Sequence, residues 1–238
     1  MGKLILLRHG QSVWNRDNRF TGWTDVELTE QGCHEAIQAG QMLARDRMEI
    51  DKAFTSVLKR SIKTLWLVLE TMNQMWVPVD RSWRLNERHY GALQGENKRE
   101  IAEKRGEKLV HQWRRSFNVR PPLLSPTDSR YPGFDRRYAA LNGADIPRGE
   151  SLNDTILRCL PYWRTAIAPA MAAGQTVLVV AHGNTLRAIR KHLERVSDRD
   201  IVEMEIPTGS PIIYDAATIA CEHPLSQMAA MGPAGGQD

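Results

Sequence analysis

Val177-Leu178-Val179-Val180-Ala181-His182-Gly183-Asn184 is an unbroken apolar run that stops on a histidine followed by glycine. Leu4-Ile5-Leu6-Leu7-Arg8-His9-Gly10 shows the same arrangement near the amino terminus. Short continuous runs of valine, isoleucine and leucine suit strands buried on both faces, as in a parallel sheet. After Thr185, Leu186, Ile189, Leu193 and Val196 recur at helical spacing, so the later run leads into a helix. Thr29 caps a second helical pattern, with Ala36, Ile37, Gly40 and Leu43 on one face. Ile62, Leu65, Trp66, Leu69 and Met72 mark a third. A fourth starts near Ser151 with Leu152, Ile156, Leu160, Trp163 and Ile167, and Pro161 inside it predicts a kink or break. Ala53-Phe54-Thr55-Ser56 reads as a short strand. Strands alternating with helices predict an α/β fold: a three-layer sandwich whose mostly parallel sheet is flanked by helices.

The segment from about 86 to 149 is polar, rich in arginine and proline, and weakly periodic. It reads as an insertion over one edge of the sheet rather than a second core, within a single domain spanning 1–238. The stretch 227–238 is small and rich in glycine and alanine, and is expected to be disordered. With 42% hydrophobic and 25% charged residues, wholesale disorder, collagen and coiled coil are excluded. A domain of 238 residues buries roughly 70–75% of its unfolded surface and needs no disulfide or metal staple.

Lys+Arg total 32 against 28 Asp+Glu, a net charge of +4. That balance fits an anionic ligand. The basic residues are scattered among acids and carry no nucleic-acid reading motif, so nucleic acid is not an expected partner. Cys33, Cys159 and Cys221 are far apart and odd in number, which favours a reducing compartment over a disulfide framework or a zinc knuckle. The apolar run after Met1-Gly2-Lys3 is too short for a signal peptide, and Leu6 stands where N-myristoylation wants Ser or Thr. The charge-free stretch Thr165–Leu186 is interrupted by Pro169, Gly174-Gln175 and His182-Gly183-Asn184. It therefore reads as a helix end, a turn and a buried strand, not a membrane span. The expected location is the cytoplasm, with no membrane partner.

Ligands of open α/β sheets bind beyond the carboxyl ends of the strands. If the two runs are near neighbours in the sheet, His9 and His182 face one small volume. A neutral imidazole nitrogen is a good nucleophile towards phosphorus. Arg8 can grip phosphate oxygens with paired N–H donors. Gly10 would let the backbone approach an anion, with the following N–H groups adding to the cradle. A lone histidine at a strand end is more often an ordinary core residue; two in matching contexts point to one site.

These residues, and longer blocks around them, resemble the cofactor-dependent phosphoglycerate mutases of the histidine phosphatase superfamily. Leu7-Arg8-His9-Gly10-Gln11-Ser12 carries the superfamily's Arg-His-Gly signature, which alone leaves mutase and phosphatase open. Further matches are Trp14-Asn15, Arg19-Phe20-Thr21-Gly22-Trp23-Thr24-Asp25, Thr55-Ser56-Val57-Leu58-Lys59-Arg60 and Leu85-Asn86-Glu87-Arg88-His89-Tyr90-Gly91-Ala92-Leu93-Gln94-Gly95. Gln112-Trp113-Arg114-Arg115-Ser116-Phe117 and Ile206-Pro207-Thr208-Gly209 complete the set, which reaches the mutase branch. Gln11 stands where many relatives carry glutamate, and the likeness fades past Tyr214.

The resemblance implies a phosphoglycerate mutase-like fold and interconversion of 3-phosphoglycerate and 2-phosphoglycerate, in glycolysis and gluconeogenesis. It implies 2,3-bisphosphoglycerate as primer and no metal. His9 would carry the phosphoryl group, held by Arg8, Asn15, Arg60 and His182, while Glu87 would be the proton donor and acceptor. Tyr90, Lys98, Arg114 and Arg115 would clamp the substrate. Ser12, Thr21, Gly22, Arg88, His89, Gly183 and Asn184 complete the implied substrate-binding set. The tryptophans, Trp66 and Trp76 included, are expected to pack rather than stack on ligand. A tail (216–238) with few residues suited to closing the site implies phosphatase side activity on bisphosphoglycerate. The sequence is compatible with a homo-oligomer.

Overall fold

The computed structural model describes residues 2–216. Its strands are β1 (Lys3–Arg8), β2 (Lys52–Thr55), β3 (Val79–Arg81), β4 (Val177–Ala181) and β5 (Ile212–Asp215). They form one sheet in the order β3-β2-β4-β1-β5. The first four run parallel and β5 is antiparallel to β1 at the edge. The helices are α1 (Val13–Arg16), α2 (Glu30–Arg45), α3 (Lys59–Thr71), α4 (Lys98–Arg105), α5 (Glu107–Arg115), α6 (Leu152–Tyr162), α7 (Ala168–Ala172) and α8 (Gly183–Glu194).

Alternation along the strands produces the three layers. Successive side chains point to opposite faces. Leu4, Leu6, Val177 and Val179 pack with Trp163, Ile167, Leu186 and Ile189 on the α6–α8 side. Ile5, Leu7, Leu178 and Val180 pack with Ala39, Leu43, Leu65 and Val68 on the α2–α3 side. A mostly parallel sheet flanked by helices is therefore the architecture, and both runs are buried because both faces are covered.

Local signals explain the helix starts. Thr29 Oγ1 accepts the Gly32 N–H at 3.0 Å. Ser151 and Asp154 form a capping box at the start of α6. Helix α6 runs through Pro161 into a π-helical turn, Trp163–Ile167, before α7. The proline denies its carbonyl partner an N–H, and the wider turn absorbs the defect. The charge-free stretch resolves into this helix end, a turn, β4 and the start of α8. No helix among the described residues is long and apolar enough to cross a membrane.

Some expectations are corrected. Trp66 is 48% exposed and Trp76 74% exposed, so neither belongs to the core. The buried face of α3 is Leu65, Val68 and Leu69. In α2, Ala39 takes the inward place expected of Ile37. The segment 86–149 contains α4 and α5, and Tyr90, Leu93, Ile101, Val110 and Trp113 form an apolar cluster with Phe20. It contributes Glu87, Tyr90, Lys98, Arg114 and Arg115 to a cavity shared with Arg8 and Gly183, so it covers strand ends. Residues 217–238, including the stretch expected to be disordered and the tail weighed for site closure, lie outside the described residues.

Candidate active site

Arg8 and Ala181 pair in register at the ends of β1 and β4. His9 and His182 follow directly, and their rings meet edge to face with centroids 5.0 Å apart. His9 is buried, and its Nδ1 lies 2.7 Å from the Gly10 carbonyl oxygen. Arg60 donates its Nε–H to His9 Nε2 at 3.2 Å. A carbonyl only accepts and a guanidinium only donates, so Nδ1 carries the proton and Nε2 holds the free pair. Burial, reinforced by Arg60 and Arg8, holds the His9 pKa well below the usual histidine value. The ring is neutral, and Nε2 presents its lone pair to Arg60.

Arg60 is anchored as firmly as the ring it touches. Its other nitrogens donate to the carbonyls of Thr24 at 2.9 Å and Gly22 at 2.8 Å. Burial, the largest influence, lowers its pKa to about 10, so it stays charged at neutral pH. Three of its five N–H groups are used, which leaves two for an anion.

The backbone after His9 does something other than cradle an anion. The Gly10 N–H goes to Thr64 Oγ1 at 3.1 Å and the Gln11 N–H to Glu35 Oε2 at 2.8 Å. A Cβ on Gly10 would lie 2.0 Å from the Gly32 carbonyl oxygen. Gly10 thus permits α2 to pack against the end of β1, and the anion-nest reading is corrected.

His182 is fixed through serines. Its Nε2 lies 2.8 Å from Ser56 Oγ, which lies 2.5 Å from Ser61 Oγ. Ser61 also reaches the Leu58 carbonyl, and Ser56 accepts the Leu58 N–H. All these contacts are satisfied together when Ser61 donates to Leu58, Ser56 to Ser61, and His182 Nε2–H to Ser56. Among the described residues the buried Nδ1 of His182 has no partner. Burial, then Arg60, His9, Arg158 and Arg8, push its pKa well down.

Glu87 lines the cavity, and its Oε1 accepts N–H groups of Arg88 at 2.9 Å and Asn184 at 3.1 Å. Asn184 lies in the first turn of α8, so the helix terminus helps hold the carboxylate. Arg158 donates to the carbonyls of Arg84 at 2.7 Å, Asn86 at 3.1 Å and Glu87 at 3.2 Å. It also pairs with the buried carboxylate of Glu150 at 2.6 Å, whose other oxygen accepts the His89 N–H. The strand of chain carrying Glu87 is therefore held from both sides by a buried ion pair.

The cavity wall includes Arg8, Asn15, Thr21, Gly22, Glu87, Tyr90, Lys98, Arg114, Arg115, Gly183 and Asn184, all of them singled out in the sequence. His9, Arg60 and His182 are not among the lining residues; they adjoin the cavity through Arg8, Gly22 and Gly183, the first and last their chain neighbours and Gly22 a hydrogen-bond partner of Arg60. Ser12 is not on the wall: it caps α1, and its N–H and hydroxyl both reach Asn15 Oδ1. That leaves the Asn15 amide NH2 as the group available to donate. Arg88 is also off the wall. It is buried and donates to Tyr90 Oη at 3.0 Å and to the Arg114 carbonyl at 2.6 Å. His89 is fully buried, and its Nδ1 accepts the Gly91 N–H at 3.0 Å, so its part is to shape the turn.

Arg19, Arg187, Met204, Glu205 and Ile206 line the cavity without having been singled out for it. Arg187 sits one turn beyond Gly183 on α8, and that helical spacing was its available signal. It donates to Asn184 Oδ1 and to the Arg115 carbonyl. Arg88 and Arg187 thus occupy the carboxyl end of α5, where cations are favoured, and hold Arg114 and Arg115 in place. Burial lowers the Arg187 pKa to about 10, and burial with Arg114 and Arg8 nearby lowers that of Lys98. Among the described residues, unpartnered buried nitrogens remain on Arg8 and Arg187 as well as His182, the pattern expected of a cavity built for an anion.

Residues 4–129 and 125–218 match the histidine phosphatase superfamily (branch 1), and the chain belongs to that family. Solved structures share the architecture. A protein described as mycobacterial hydrolase 1 is 22% identical, covers 90% of this chain and 88% of its own, and has a TM-score of 0.67. A mycobacterial glucosyl-3-phosphoglycerate phosphatase in complex with VO3 is 25% identical over 90% of this chain and 92% of that one, with a TM-score of 0.66. An open reading frame product from Mycobacterium tuberculosis is 26% identical over 89% and 90%, with a TM-score of 0.60.

Proposed function

We propose that this chain interconverts 3-phosphoglycerate and 2-phosphoglycerate by phosphoryl transfer through Nε2 of His9, with 2,3-bisphosphoglycerate as intermediate and primer. The observation that carries the reading is the pairing of a neutral His9 with a wall holding more cations than one phosphoryl group requires. Arg8 and Arg60 suffice for that group, while Lys98, Arg114, Arg115 and Arg187 add further cations to the same cavity wall. A substrate with a carboxylate and a second phosphate matches that surplus.

The chemistry follows from the contacts. An entering phosphorus displaces the Arg60 N–H from the free pair of Nε2, and that N–H passes to a phosphoryl oxygen. The Nε2–P bond forms as the P–O ester bond breaks. A protonated Glu87 supplies the proton that the departing oxygen needs, and Glu87 later removes one from the attacking hydroxyl. The Gly10 carbonyl keeps Nδ1–H bonded, which supports the positive charge of the phosphorylated ring. Arg8, Arg60 and the Asn15 amide offer donors to the equatorial oxygens, where charge spreads in the transition state. No step calls on a metal.

A phosphatase acting on a related phosphoglycerate ester is the second reading. It is favoured by the likeness, at 25% identity, to the glucosyl-3-phosphoglycerate phosphatase. Water would then take the phosphoryl group from His9. Brief incubation with 2,3-bisphosphoglycerate followed by mass spectrometry should find an acid-labile, alkali-stable phosphate on His9, absent from His9→Ala. Turnover of 3-phosphoglycerate should be stimulated by catalytic 2,3-bisphosphoglycerate and unaffected by EDTA. Full turnover in His9→Ala overturns both readings, and phosphorylation of His9 without isomerisation selects the phosphatase.

A further inference from the structure

Among the described residues two carboxylates line the cavity, Glu87 and Glu205. Glu87 is committed to the backbone N–H groups of Arg88 and Asn184. Glu205 is not tied to the backbone: its side chain is largely exposed and forms an ion pair with Arg115. The hydrogen bond from Arg115, with Arg8 and Arg114 close by, holds the Glu205 carboxyl below the ordinary glutamate range, so it is charged at neutral pH. Lys98 and Arg114 line the same cavity and make no ion pair among the described residues. The next residue, Ile206, gives its carbonyl to Arg8 at 2.7 Å. One short segment therefore touches the arginine beside His9 and neutralises a second arginine of the cavity wall.

We infer that Glu205 is a specificity-determining residue: it is a resident counter-ion for Arg115, and a ligand must displace it before placing an anionic group of its own there. The inference rests on the phosphoryl-transfer reading and refines it. A ligand with one anionic centre, held at Arg8 and Arg60, leaves the Arg115–Glu205 pair intact. A phosphorylated carboxylic acid breaks it, or settles for Lys98 and Arg114 while facing the Glu205 charge. In either case Glu205 lowers affinity for the second anion without cancelling the remaining cations, and so narrows the margin by which a doubly anionic ligand is preferred to one whose far end is neutral or hydroxylated.

The test compares calorimetric binding of inorganic phosphate and of 3-phosphoglycerate to the full chain and to Glu205→Gln. The ratio of the two dissociation constants should move towards 3-phosphoglycerate by roughly five- to tenfold in the variant, the scale of one partly exposed charge pair plus one removed repulsion. In an Arg115→Gln background the same substitution should move the ratio less than half as far on a logarithmic scale, because the partner through which it acts is gone. A ratio within about twofold of the parent, or weaker 3-phosphoglycerate binding in Glu205→Gln, overturns the inference while leaving phosphoryl transfer intact. A parent chain that binds no inorganic phosphate overturns both. Melting temperatures of the variants identify any loss of fold.

Discussion

Arg60 aims its Nε–H at Nε2 of His9 from 3.2 Å, and the geometry of that pair defines the resting state of the site. The guanidinium does three things at once: it touches the His9 ring and holds the carbonyls of Gly22 and Thr24. A lysine keeps the charge but cannot meet three acceptors in that fork. Arg60→Lys should therefore lower kcat by about 10²–10³, with a smaller change in KM. Steady-state kinetics checks this; a kcat within a factor of a few of the parent would show that charge alone suffices.

Acid should weaken the fold through buried imidazoles. His9, His182 and His89 all have native pKa values held below that of a free histidine by burial, His89 at about 3. The unfolded chain then binds protons that the native chain refuses, so stability is full above the unfolded value near 6.5 and falls as pH drops through it. Between about pH 7.5 and 5.5 each histidine costs about 1.4 kcal/mol, or roughly 4 kcal/mol for the set. Urea unfolding at the two pH values measures it, and His9→Asn should lose about a third less.

The Arg158–Glu150 pair should matter to both stability and turnover. Glu150→Gln leaves Arg158 buried without its counter-charge, at a cost of about 3 kcal/mol. The carbonyls of Arg84, Asn86 and Glu87 lose a firm anchor, so Glu87 is less well placed. Denaturant unfolding and kinetics should show lower stability together with a fall in kcat that exceeds any rise in KM.

His182 should change protonation state when an anion enters. With Nε2–H given to Ser56, only a second proton turns Nδ1 into a donor. Burial, then Arg60, His9, Arg158 and Arg8, oppose that proton in the free protein, and an incoming dianion offsets them. Sulfate mimics a phosphoryl group and carries no proton of its own near neutrality. Nitrogen-15 spectra should report Nε2–H with a bare Nδ1 in the free protein, and both nitrogens protonated with saturating sulfate. A neutral Nδ1–H ring in either state contradicts the serine relay.

The strand ends were legible because apolar runs buried on both faces leave a plain mark, and each ended at once on His-Gly. The two helices of 86–149 were not, since α4 buries only Ile101 and α5 only Val110 and Trp113, too few to set a period. Contiguity misled at Arg88 and His89. They lie between Glu87 and Tyr90 in sequence, but both are buried, Arg88 on Tyr90 Oη and the Arg114 carbonyl and His89 on the Glu150 carboxylate and the Gly91 N–H, while their neighbours face the cavity. Glu205 belongs to no periodic pattern and is brought to the site by the course of the chain. Gly10 was placed correctly and its task misread, because what a missing side chain permits depends on Gly32 of a different element.

That contact has an evolutionary corollary. A residue kept bare by a neighbouring helix is under selection for assembly whether or not the adjacent histidine turns over substrate. A descendant that had abandoned its chemistry would still need a bare residue at Gly10 but not Arg8 or His9, so within the Arg-His-Gly tripeptide the glycine reports the packing of α2 on β1 and the two residues before it report the chemistry.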